Sequence, residues 1–124
     1  PLPPDLPAGG TLLLQAEQGY GDTIQFVRYA KLVKQRGVSR VVLACQPELV
    51  RLVSSVAGLD EVVPETGTLP PFDRAMTLMS LASVFKAGEE AIPAETPYLK
   101  VPAGAGISLP QGDGPIRIGL AWAY

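Results

Sequence analysis

Asp22 closes a short stretch, Gln15-Ala16-Glu17-Gln18-Gly19-Tyr20-Gly21-Asp22-Thr23, in which two glycines and a carboxylate stand together. A positioned carboxylate can take the proton of a hydroxyl whose own pKa lies far above neutrality. It then serves as general base for a transfer to that hydroxyl. The same group can instead bond backbone N–H groups and cap a helix, which is worth about 1 kcal/mol and needs no reaction. Gly19 and Gly21 leave bare backbone that a ligand can approach, or they serve a tight strand-to-helix turn. The spacing is not a dinucleotide fingerprint, because Ile24 stands where a third glycine belongs. An acid at Asp22 would also repel a pyrophosphate.

Around this centre lie the candidate contacts Gln18, Tyr20, Thr23 and Gln25, with Glu17 as either a contact or a solvated loop residue. Arg28 falls within two turns of Asp22 and can meet an anionic ligand or form a surface ion pair. Gln46 and Thr77 are weaker candidates, each expected at the end of a strand. Tyr98 and Trp122 read as packing residues.

The elements that must hold these residues follow from periodicity. Residues 11–16 read as a first strand and 24–36 as a helix with a broad apolar stripe (Ile24, Val27, Ala30, Val33), capped by Asp22 or Thr23 and stopped at Gly37. The continuous apolar run 41–45 reads as a strand covered on both faces, so Cys45 is a buried small hydrophobe. Pro47 opens a second helix, with Leu49, Leu52, Val53 and Val56 on one face and Gly58 as its stop. Residues 61–63 form a short strand, 66–71 a loop, 72–77 a fourth strand, and 80–87 a helix ending at Gly88. Residues 91–114 read mostly as connection, with 98–101 as a short edge strand, and 116–122 read as one further apolar strand. This order implies an α/β fold, an open and mainly parallel sheet with right-handed crossovers and flanking helices. Residues 1–10 read as a linker, 11–114 as the domain, and 115–124 as the first strand of a second, truncated one.

Composition removes several classes. The 124 residues contain no histidine and one cysteine, which leaves no zinc site, no Ser-His-Asp triad and no internal disulfide. A net charge of −2 with interspersed signs disfavours nucleic acid. No apolar run approaches the roughly 18 residues that span a bilayer. No signal peptide is visible, so a cytoplasmic location is expected.

The motif series is Gln18-Gly19-Tyr20-Gly21-Asp22-Thr23 between strand and helix, Gln46-Pro47, Leu69-Pro70-Pro71-Phe72-Asp73, Thr96-Pro97-Tyr98-Leu99 and Ile118-Gly119-Leu120-Ala121-Trp122-Ala123. In this order it resembles the N-terminal half of the heptosyltransferase-like glycosyltransferase domain found behind tetratricopeptide repeats in many bacterial proteins. That family has two Rossmann-like halves, the GT-B architecture. The resemblance implies a Rossmann-like, acceptor-side half of an enzyme that moves a sugar from a nucleotide-sugar donor to a hydroxyl, without a metal or other cofactor. It implies Asp22 as general base, with Gly19, Tyr20, Gly21, Thr23, Gln18, Gln25 and Gln46 around the substrate. The implied partners are a sugar or glycan acceptor, a missing C-terminal half that carries most of the donor site, and adjacent tetratricopeptide repeats. On this reading the fragment alone is inactive. The alternative is a non-catalytic binding or scaffold module of a repeat protein. A nucleotide- or flavin-dependent enzyme on the same fold is disfavoured by the incomplete glycine pattern.

Overall fold

Two apolar runs, residues 12–14 and 41–45, form the centre of a four-stranded sheet. The structure, a computed structural model, describes residues 2–17, 19–85, 92–108, 111–112 and 114–122. The strands are β1 (Thr11–Gln15), β2 (Arg40–Cys45), β3 (Glu61–Pro64) and β4 (Arg74–Thr77), all parallel and in the order β3-β2-β1-β4. In register, Gln15 stands opposite both Ala44 and Thr77, and Cys45 opposite Pro64. The carboxyl ends of all four strands therefore share one rim. The order reverses between β1 and β4, because the chain steps outward from β1 through β2 to β3 and then returns to the far side of β1. An α/β sheet holds its ligand crevice at such a reversal.

The helix after β1 runs as α1 (Tyr20–Phe26), a 3-10 turn (Val27–Tyr29) and α2 (Ala30–Gln35). Its stripe Val27, Ala30 and Val33 is fully buried. It packs on Leu12, Leu14, Val41 and Leu43 from one sheet face. Tyr29 stacks between Phe26 and Phe85, with ring centroids 6.2 and 6.0 Å apart. After β2, Pro47 starts a 3-10 turn (Pro47–Leu49) that continues into α3 (Val50–Val53), and Leu49, Val53 and Val56 join the same core. The short α4 (Ser80–Val84) adds Leu81. On the opposite face Leu13, Val42 and Ala44 pack with Val63 and Leu69. With both faces covered, every residue of β2 after Arg40 is buried, as its unbroken apolar run predicts.

Two aspartates fix where the edge strands begin. Asp60, just before β3, accepts the Val41 N–H on Oδ2 at 2.7 Å and donates its own N–H to the Val41 carbonyl at 2.9 Å. Asp73, just before β4, repeats this with Thr11, at 2.7 and 3.0 Å. Each central strand thus has backbone groups near its start, at Thr11 and Val41, satisfied by the residue that leads into its neighbour.

Several expectations are corrected. The first helix starts at Tyr20, not Ile24, because the buried Thr23 anchors a first turn that Gly19-Tyr20-Gly21 alone would not favour. Its N-cap is Gly19, with no side-chain bond, so neither Asp22 nor Thr23 caps it. Residues 98–101 and 114–122 form no strand. Ile116, Ile118, Leu120 and Trp122 are 77–93% exposed, so Trp122 is not a packing residue among the described residues. Their alternation specifies a face, but a strand also needs a neighbour, and none pairs with this segment among the described residues. The fourth strand is shortened to Arg74–Thr77, and the expected helix stop at Gly88 lies outside the described residues. Residues 2–10 form no helix or strand, yet Leu2 and Leu6 pack on the core and Asp5 pairs with Arg74 at 2.6 Å. Among the described residues no helix is long and apolar enough to cross a membrane.

Candidate functional site at the strand ends

The rim above β1, β2 and β4 gathers most of the residues singled out by sequence. β1 is extended by one bond, from the Ala16 N–H to the Ala44 carbonyl at 2.9 Å, before the chain leaves the sheet at Glu17. Gly19, with φ −70° and ψ 172°, turns it into α1. Asp22 then sits in the first turn of α1, half-buried, and its carboxylate has no hydrogen bond or ion pair among the described residues. An acid in this position is favoured by the free N–H groups of the turn. Its oxygens stay available to a ligand.

Gly19 makes the strand-to-helix turn, but neither glycine is required by a left-handed backbone. Gly19 and Gly21 have no positive φ, and a Cβ built on either meets nothing within 4 Å. Gly21 lies in the first turn of α1, where glycine costs up to about 1 kcal/mol relative to alanine. Gly19 suits an N-cap, whereas packing and backbone conformation supply no reason for glycine at position 21.

Thr23 and Gln46 are brought together, but as a buried pair. The Thr23 hydroxyl donates to Gln46 Oε1 at 2.9 Å, and the residues are 1% and 9% exposed. Thr23 is therefore turned away from solvent. It holds the start of α1 against the end of β2, and Gln46 carries that contact at the rim. Tyr20 is 52% exposed and Gln25 is exposed. Gln18 lies outside the described residues.

Sequence reasoning missed Glu48, one turn into the segment after β2. Its carboxylate lies beside the Tyr20 phenol and raises that phenol's pKa, first through hydrogen bonding and then through charge, with Glu65 adding to it. The available signal was position: Tyr20 and Glu48 occupy the βα connections of adjacent parallel strands. At the end of β4 the hydroxyls of Thr77 and Ser80 share a hydrogen bond of 2.5 Å across the other side of the crevice. Cys45, below the rim, has its thiol pushed up to about 11 by burial and by Glu65, which makes it inert at neutral pH.

Arg28 forms no ion pair among the described residues. Its guanidinium donates to the Pro93 carbonyl and to the Tyr98 hydroxyl, both at 3.0 Å, and stacks 4.5 Å over the Tyr98 ring. The Tyr98 hydroxyl in turn donates to the Ile24 carbonyl at 2.9 Å. Arg28 and Tyr98 thus tie the segment after α4 across the outside of α1, away from the rim. Among the described residues no three His, Cys, Asp or Glu side chains gather as a metal site. Compared with protein-family models, with curated proteins and with solved structures, the chain matches none of them.

Proposed function

We propose that this chain is the acceptor-side half of a glycosyltransferase that moves a sugar from a nucleotide-sugar donor to a hydroxyl acceptor. Asp22 is the general base, and most of the donor site belongs to a second half. The observation that carries the reading is the half-buried Asp22 carboxylate, unpartnered among the described residues, beside the β1/β4 reversal. A carboxylate that bonded the backbone as a cap would be committed to structure, and Asp22 is not. The bare backbone at Gly21 supports the same reading, since space is kept open there at a cost in helix stability.

In this reading the acceptor lies over Gly19 and Gly21 with its hydroxyl on Asp22, which removes the proton as the oxygen attacks the anomeric carbon and the nucleoside diphosphate leaves. Tyr20, Gln25 and Gln46 contact the acceptor. Thr23 orients Gln46 without touching the substrate. The Tyr20 phenol gives its one proton to Glu48, so its oxygen is left to accept a hydrogen bond from a sugar hydroxyl.

The test is turnover of a panel of sugar nucleotides by the longest natural protein that contains this chain, beside its Asp22→Asn variant. Loss of about 10²- to 10⁴-fold in turnover, with the fold intact, is the expected result for a missing general base. Undiminished turnover in the variant removes Asp22 from the chemistry. Absence of turnover with every donor favours the binding-module reading of the same rim.

A further inference from the structure

A groove of about 440 Å³ opens on the outer surface of α1–α2, and none of the rim residues lines it. One wall is the helix, with Arg28, Lys31 and Leu32. The floor includes Val56, in the turn after α3, and the other wall is the segment from Ile92 to Lys100. That segment is held off the helix at discrete points, by Arg28 to Pro93 and Tyr98 and by Lys31 to Glu95. The space between these struts is of the size that takes a small organic molecule, about 300–1,000 Å³. Interiors normally fill such a volume with side chains.

The charge of its described lining is unbalanced. Arg28, Lys31 and Lys100 line the groove against one described carboxylate, Glu95. Lys100 has no ion-pair partner among the described residues. Arg28 bonds only neutral oxygens, and its Nε–H is buried without a partner. Glu95 places both carboxylate oxygens 2.8 Å from Lys31 Nζ while its side chain stays 75% exposed. An ion pair this open contributes at most about 1 kcal/mol and exchanges readily. Glu95 therefore occupies the position an incoming anionic head would take, above an apolar floor of Leu32 and Val56.

We propose that this groove binds a small organic anion, with its carboxylate or phosphate head on Lys31 and Lys100 and its apolar body on Leu32 and Val56. Such binding is independent of any role for Asp22. The test is a titration of the ¹⁵N-labelled chain with phenyl phosphate, followed by NMR, with benzyl alcohol and benzylammonium as controls. Saturable shifts are expected at the amides of Lys31, Leu32, Val56 and Tyr98, with none at Gly21 or Asp22. The Lys31→Gln/Lys100→Gln variant should bind about fivefold or more weakly, and Glu95→Gln about twofold or more tightly, as expected for partly exposed ion pairs. Affinity should fall as salt rises from about 20 to about 300 mM. All three substituted positions are surface groups, and the spectrum of each variant reports its fold directly. The proposal is overturned if phenyl phosphate gives no saturable shift, or if its shifts fall on the rim. It is equally overturned if benzyl alcohol binds as well, or if charge-changed variants that keep the native spectrum bind with unchanged affinity.

Discussion

Replacing Gly58 by alanine should cost this protein a large part of its stability, and the structure separates the reasons. Gly58 has φ +97°, a conformation that costs an L-residue about 1–2 kcal/mol. A Cβ there would also lie 2.5 Å from the Ala30 carbonyl carbon and oxygen and from the Lys31 nitrogen. These are backbone atoms of a helix whose Ala30 is fully buried, so neither side can yield by turning a side chain. Forcing the α3 turn away from α2 is an overpacking problem, typically about 1–3 kcal/mol. Alanine recovers about 0.4–1 kcal/mol by restricting the unfolded chain. The net expectation is a loss of about 2–4 kcal/mol, against a typical domain total of about 5–15 kcal/mol. Gly37→Ala is the internal control, because Gly37 has φ +87° and a Cβ added there meets nothing within 4 Å. It should show the conformational cost alone, about 1 kcal/mol. Urea unfolding of the three proteins, with slopes compared, measures both. If Gly58→Ala is no more destabilising than Gly37→Ala, the close approach of α3 to α2 is wrong.

Gly21→Ala should do the opposite, stabilising by about 0.5–1 kcal/mol in urea unfolding, because the position is helical and open. It should also lower turnover in any active parent protein, if the glycine is there for a ligand. Asp60 offers a pH-dependent prediction. Burial raises its pKa, but hydrogen bonds from Lys34 and the Val41 N–H, with the charges of Lys34 and Arg40, outweigh that and hold it below its ordinary 3.8. A carboxyl lowered on folding contributes stability that is full above the unfolded value and lost as pH falls through the folded one. Asp60→Asn should therefore be less stable than the parent at pH 7, by about 1 kcal/mol or less given the pair's exposure, and the gap should close below pH 4; a gap unchanged in acid contradicts the assignment. Cys45 should resist a disulfide reagent at pH 8 in the folded protein and react only as the chain unfolds, so labelling at the rate of a free thiol would refute its burial.

What can be read from the sequence divides along physical lines. The run 41–45 declares a strand buried on both faces, because no polar residue interrupts it, and Gly37 and Gly58 mark helix stops through their positive φ. These are local signals with one interpretation. The start of α1 is misplaced by sequence because Gly19 and Gly21 have poor helix propensity, whereas tertiary burial of Thr23 decides the matter. Ile116, Ile118, Leu120 and Trp122 carry a strand's alternation, and alternation says nothing about whether a neighbouring strand is available. Asp22 can be placed after β1 from sequence alone. That it lacks a partner among the described residues while Thr23 gains one cannot, since that depends on Gln46 arriving from β2. The outer groove is illegible, because its walls come from three separate parts of the chain.

The two aspartate clamps also set a timetable. Thr11 is held by Asp73, 62 residues later, and Asp5 by Arg74. A ribosome adding about 5–20 residues per second needs about 3–12 s to cross that interval. Throughout it one side of β1 has no neighbour, and Leu12, Leu13 and Leu14 are without part of the cover that makes them fully buried. The chain under synthesis therefore holds Leu12, Leu13 and Leu14 open on one side while 62 more residues are added, a standing invitation to chaperones that ends only when β4 emerges.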